Sequence, residues 1–109
     1  QLELGLKDVA ELDHCVIAYE PVWAIGTGVT ADSEQVELAH KVLMEILAVL
    51  YPGLSNFHVL YGGSVKPDNA GVLIRVPGVD GFLIGGASLD LESFTSIIRT
   101  VDAVQEKIL

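Results

Sequence analysis

Three times along this chain a short apolar run ends in a turn that contains glycine, and the pattern then changes to helical spacing. The runs are His14 to Tyr19 (HCVIAY), Phe57 to Tyr61 (FHVLY) and Gly81 to Ile84 (GFLI). The first does not alternate apolar with polar residues, the mark of a strand covered on both faces in a parallel sheet. The turns carry Gly26 and Gly28, then Gly62-Gly63-Ser64, then Gly85-Gly86. After the first turn Val36, Ala39, Leu43, Ile46 and Leu50 recur at helical spacing, with Glu34, Glu37, Lys41 and Glu45 on the other side. This predicts an amphipathic helix opened by Asp32 or Ser33 and stopped by Pro52-Gly53. Pro67 opens a short second helix to about Arg75, ended by Pro77-Gly78. The last helix starts near Ser88 or Asp90, with Leu91, Phe94, Ile98, Val101, Val104 and Ile108 along one side. Leucines at 2, 4, 6 and 12 suggest the remnant of a further helix, weakened by Gly5. The repeated unit predicts an α/β fold of three parallel strands, each followed by a helix. Residues 1–109 read as one domain or part of one.

Composition narrows the partners. Half the residues are hydrophobic, which excludes an acidic disordered tail. Six Lys and Arg against 15 Asp and Glu leave a net charge of −9, with no basic stripe for nucleic acid or an anionic membrane. Any attraction for a phosphate must come from local donors. The single cysteine, Cys15, allows neither an intrachain disulfide nor a cysteine-based zinc site, and fits a reducing cytosol. Apolar stretches are broken by Glu20, Pro21, Glu45 or Pro52, short of the roughly 18 residues of a membrane span. Glu3, Lys7 and Asp8 stand where a signal peptide would be apolar. The chain opens at Gln1, inside what reads as a helix, and is expected to be a piece of something larger.

In parallel α/β folds ligands bind in the turns at the carboxyl ends of the strands. The paired glycines either make tight turns or let the backbone N–H groups approach an oxyanion. Three such turns at neighbouring strand ends favour the second. Glu20 ends the first apolar run, flanked by Tyr19, Pro21, Val22 and Trp23. It is either a solvated residue at a strand end or a partly desolvated base of raised basicity. Pro21-Val22-Trp23 and Val29-Thr30-Ala31 bracket a loop that reads as a lid between two stiff hinges or as a long ordinary turn. His14, His40 and His58 do not form a metal set and read as structural or surface residues; Cys15 reads as core, and Lys66 as solvated.

The stretch from Ala18 through Tyr19-Glu20-Pro21-Val22-Trp23-Ala24-Ile25-Gly26-Thr27 to Gly28 resembles the catalytic strand and lid of triosephosphate isomerases. Tyr61-Gly62-Gly63-Ser64-Val65 resembles the next phosphate-binding turn of that family, and Gly81 to Leu89 its last strand and turn. The resemblance implies part of a (β/α)8 barrel, its final three βα units. It implies interconversion of dihydroxyacetone phosphate and glyceraldehyde 3-phosphate through an enediolate, with Glu20 as base and no metal or organic cofactor. Gly26, Ser64, Gly85 and Gly86 would hold the substrate phosphate, and Pro21 to Gly28 would form the lid, latched by Tyr61 and Ser64. A cytoplasmic homodimer is the family's form. Val29 departs from the family, whose far hinge usually carries lysine, which bears on hinge kinetics. The family's Asn-x-Lys motif and electrophilic histidine have no counterpart here, so the chain alone is expected to be inactive. Val16, Ala18, Val59 and Leu83 are expected to face the absent part of the barrel. Another phosphate-binding barrel is one rival reading; a non-catalytic half-barrel that self-associates or complements an amino-terminal fragment is the other.

Overall fold

The structure, a computed structural model, describes residues 1–13, 15–22, 32–53 and 57–108, the side chains of 106–108 excepted. Three parallel strands, β1 (Ile17–Tyr19), β2 (Val59–Tyr61) and β3 (Gly81–Phe82), form one sheet in the order β1-β2-β3. Ile17 lies opposite Val59, Tyr19 opposite Tyr61, and Tyr61 opposite Phe82. The strands are shorter than the apolar runs, and β1 and β3 are the edges of the sheet. Backbone bonds continue just past them: Gly62 N–H donates to Tyr19 O at 2.7 Å and Leu83 N–H to Tyr61 O at 3.0 Å.

The helices are α1 (Leu2–Gly5), α2 (Ser33–Leu50), α3 (Ala70–Leu73) and α4 (Leu91–Ile108). Asp32, not Ser33, caps α2: its carboxylate accepts the Gln35 N–H at 2.8 Å while the Gln35 side chain accepts the Asp32 N–H at 3.2 Å. Such a reciprocal cap satisfies two orphan donors and contributes about 1 kcal/mol. Gly53, at φ 86°, turns the chain after α2. Asp90 opens α4 by accepting the Ser93 hydroxyl at 2.6 Å and its N–H at 3.2 Å, bonds that hold the Asp90 carboxyl below its usual range. α3 is a single helical turn, shorter than expected, with tight turns on either side.

Every helix packs on the same face of the sheet. Val36 of α2, Leu73 of α3, and Ile97 and Val104 of α4 bury Tyr61, with Tyr19 and Phe82 alongside. Leu12 and Leu47 close over Val59, with Ile17 beside it. The Tyr51 hydroxyl donates to Val9 O at 2.6 Å and ties the end of α2 to the segment after α1. The opposite face carries Val16, Ala18, Leu60 and Leu83, since side chains alternate along a strand. Val16 is 57% and Leu83 46% exposed.

This layering corrects several expectations. The strands are covered on one face only, and Val59 lies on the helix side at 0% exposure, with Leu60 taking the open side. On α2 the buried line runs through Leu47, while Ile46 is 41% exposed. On α4 it runs through Ile97, leaving Leu91 and Ile98 in solvent. The cause is common to both helices: adjacent apolar residues compete for the core, and a one-residue shift turns the face by about 100°. No helix among the described residues is long and apolar enough to cross a membrane.

Candidate active site

The carboxyl ends of β1 and β2 are drawn together by the bond from Gly62 N–H to Tyr19 O. Glu20 follows Tyr19, and its side chain lies across Gly62. A Cβ on Gly62 would stand 2.7 Å from Glu20 Cγ and 3.3 Å from Tyr19 O. A side chain at position 62 would therefore have to displace Glu20, a constraint invisible in the sequence. Glu20 itself is exposed, so of the two settings the sequence left open the described residues supply the solvated one.

The next glycine answers to a different neighbour. A Cβ on Gly63 would run into the ring and hydroxyl of Tyr61, which is fully buried beneath the turn. The Glu20 side chain can swing away, but the Tyr61 ring cannot. Gly63→Ala is therefore expected to lower the free energy of unfolding by about 1–3 kcal/mol, the usual cost of overpacking. Gly62→Ala should change stability by less than half as much and displace Glu20 instead. Urea unfolding of the two variants checks this, and equal losses would refute the distinction.

Asn69, which the sequence reading passed over, shapes the second turn. Its amide donates to Ser64 O at 3.0 Å and its carbonyl oxygen accepts the Lys66 N–H at 2.7 Å. The only signal was an Asn in a turn just after Pro67. Ser64 is half-buried; Lys66 is exposed. At the third turn the Ser88 N–H (2.9 Å) and hydroxyl (2.5 Å) both donate to Gly85 O, and residues Gly86–Leu89 form a short 3₁₀ turn before α4. Gly85 and Gly86 are exposed, and a Cβ at either would meet nothing within 4 Å. Packing does not demand glycine there, which leaves the surface open to a ligand.

Of the lid expected after Glu20, Pro21 is buried and Val22 is 80% exposed. Trp23, Ala24, Ile25, Gly26, Thr27, Gly28 and Val29 lie outside the described residues. Arg75 is turned back onto α3, donating to Gly71 O at 2.6 Å. His58 is exposed at the amino end of β2, 4.0 Å from Asp80, whose carboxylate also accepts the Val59 N–H at 2.8 Å. His40 is fully buried and Cys15 half-buried. No group of three or more His, Cys, Asp or Glu among the described residues is placed to hold a metal ion.

Strands in chain order with every helix on one side are wound as in a closed barrel; a doubly wound sheet carries helices on both sides. The molecule is thus an open segment of a (β/α)8 barrel, with its glycine turns at the carboxyl ends of the strands. The triosephosphate isomerase family profile matches residues 1–101, and the chain belongs to that family. Similar curated proteins, each named triosephosphate isomerase, come from Chlorobium phaeovibrioides, Bdellovibrio bacteriovorus and Dichelobacter nodosus. The first is 50% identical over 101 residues, covering 91% of this chain and 40% of the relative. The second is 54% identical over 97 residues (89% and 39%), and the third 50% over 105 residues (92% and 44%). The chain spans about two-fifths of the length of the curated relatives it matches.

Proposed function

We propose that this chain supplies the base and the phosphate cradle of a triosephosphate isomerase, acting as part of a complete barrel. Glu20 takes a proton from C1 of dihydroxyacetone phosphate and returns it to C2, giving glyceraldehyde 3-phosphate through an enediolate. The observation that carries this reading is the Glu20 side chain lying across Gly62, which sets a carboxylate beside a glycine turn fit for an oxyanion. The phosphate dianion is held by main-chain N–H groups of Gly26, Ser64 and Gly86, with Gly85 beside them. Residues Pro21 to Gly28 close over the substrate, and Tyr61 and Ser64 latch them. Fixed donors meet the intermediate, so no metal or organic cofactor takes part. The working form is a cytoplasmic homodimer.

A chain of net charge −9 with Arg75 engaged elsewhere has little else to offer a phosphate. Inorganic phosphate added to the folded chain should therefore shift the amide resonances of Gly26, Ser64 and Gly86. A response confined to the Lys66 and Arg75 side chains would overturn the backbone cradle. A second reading, a half-barrel whose role is association, is favoured by one observation: the open sheet face of Val16, Ala18, Leu60 and Leu83.

A further inference from the structure

One ionisable side chain is buried in the core yet plays no part in the chemistry proposed above. His40, read from sequence as structural or surface, is 0% exposed on the inner side of α2. Its Nδ1 lies 2.9 Å from Gly78 O, in the turn that leads into β3. Gly78 has φ 90°, and a Cβ there would stand 3.1 Å from His40 Cβ, so this turn is pressed against the helix. The imidazole meets the Tyr19 ring edge-on, centroids 5.8 Å apart, and the Tyr61 ring at 6.2 Å. Its Nε2 is buried with no hydrogen-bond partner among the described residues. One ring thus touches three elements: the end of β1, the end of β2 and the turn before β3.

We propose that His40 is a proton-operated fastener: uncharged, it holds α2 to the Gly78 turn and to the ends of β1 and β2; charged, it releases them. Donation from Nδ1–H to the Gly78 carbonyl leaves Nε2 as a bare acceptor. A second proton must go to Nε2, which finds no acceptor among the described residues, and an uncompensated buried charge is costly. Burial accordingly holds the His40 pKa below its ordinary value; the Gly78 carbonyl and the Asp80 carboxylate pull the other way and offset this only in part. Among the described residues the groups facing the ring are few. Tyr19 and Tyr61 come from the strands and Asp80 from the turn, while His58 lies beyond Asp80, and Glu37 and Lys41 flank the ring on α2 but are exposed.

The sign follows from linkage. An opened chain takes up the His40 proton near the ordinary value of about 6.5, the packed chain only at lower pH. Between those points the opened form binds more protons, so packing weakens as pH falls, by up to roughly tenfold per pH unit in the opening equilibrium. Because Tyr19 precedes Glu20 and Tyr61 precedes Gly62, release would also disturb the strand ends. That consequence for the site rests on the proposed function, whereas the fastener does not.

Hydrogen exchange of the full chain, followed by mass spectrometry at pH of about 8 and about 5.5 and corrected for intrinsic rates, tests it. Peptides from α2 and from residues 76–80 should lose protection at the lower pH by up to roughly tenfold, while α4, which makes no hydrogen bond or ring contact with His40 among the described residues, keeps its own. In His40→Asn, which retains a donor for Gly78 O but takes no proton, α2 protection should be level across that range. Unchanged α2 protection in the natural chain, or an equal fall in the variant, would overturn the proposal. If the variant does not fold, imidazole nitrogen resonances of the natural chain decide. A protonated Nδ1 with a bare Nε2, whose titration moves the Tyr19 and Tyr61 signals, is the expected result. A His40 that titrates near the ordinary histidine value of about 6.5 and leaves both tyrosines unmoved is the contrary one.

Discussion

Glu20→Gln, introduced into this chain joined to the rest of a barrel, is expected to cut kcat by about 10²–10⁴-fold, the span a positioned general base contributes. KM should stay near that of the parent, because glutamine keeps the size and the polar contacts of the side chain but cannot accept the C1 proton. The expectation comes from position: Glu20 ends β1, and its side chain crosses Gly62, the first residue of a turn proposed to hold phosphate. The proposed base thus stands beside the proposed phosphate turn, so that losing it should leave binding alone. A loss confined to KM would show an interaction equal in ground and transition states, and would refute Glu20 as the base. Gly62→Ala, which displaces Glu20 without removing it, should fall between parent and Glu20→Gln in kcat.

The isolated chain is expected to show no measurable isomerase activity and to exist as a self-associated species. Chemistry and packing both point this way. The family's lysine and electrophilic histidine have no counterpart in the sequence, and losing even one oxyanion donor costs about 10²–10³ in rate. The open sheet face exposes Val16 and Leu83, at 57% and 46%, between two unpaired strand edges. A further stripe on α2, Leu38, Val42 and Val49, is 64%, 44% and 78% exposed. Open edges and uncovered apolar surface favour pairing with another copy or with the complementary part of a barrel. Light scattering should report a mass above that of one chain, and adding the amino-terminal part of a related barrel should restore turnover. A monodisperse monomer with sharp cooperative unfolding, or unaided turnover near that of a complete enzyme, would contradict this.

Much was legible in the residues because local chemistry decided it. A helix start at Asp32 or Ser33, resolved by the structure in favour of Asp32, and the stop at Pro52-Gly53 depend on neighbours a few positions away. The resemblance around Glu20, Gly62 and Gly85 named the family for the same reason: it resides in contiguous motifs. Other features joined residues far apart in the chain. The burial of His40 depends on a carbonyl 38 residues away and on two tyrosines from different strands. The crowding at position 62 comes from the Glu20 side chain of the preceding βα unit.

By itself, then, the sequence determined the succession of strands and helices, their caps and the turns that end the strands, because each follows from periodicity or from side chains within one turn. Which face of each element is covered was decided only by tertiary structure. An apolar run such as FHVLY has no polar alternation to mark its outer side, so Val59 and Leu60 were interchangeable until Leu12 and Leu47 closed over one of them. Ile46 and Leu47 on α2 were likewise equal claimants to the core. Burial is a property of what packs against a residue, and the free energy that separates the two choices comes from apolar area removed from water by partners distant in sequence.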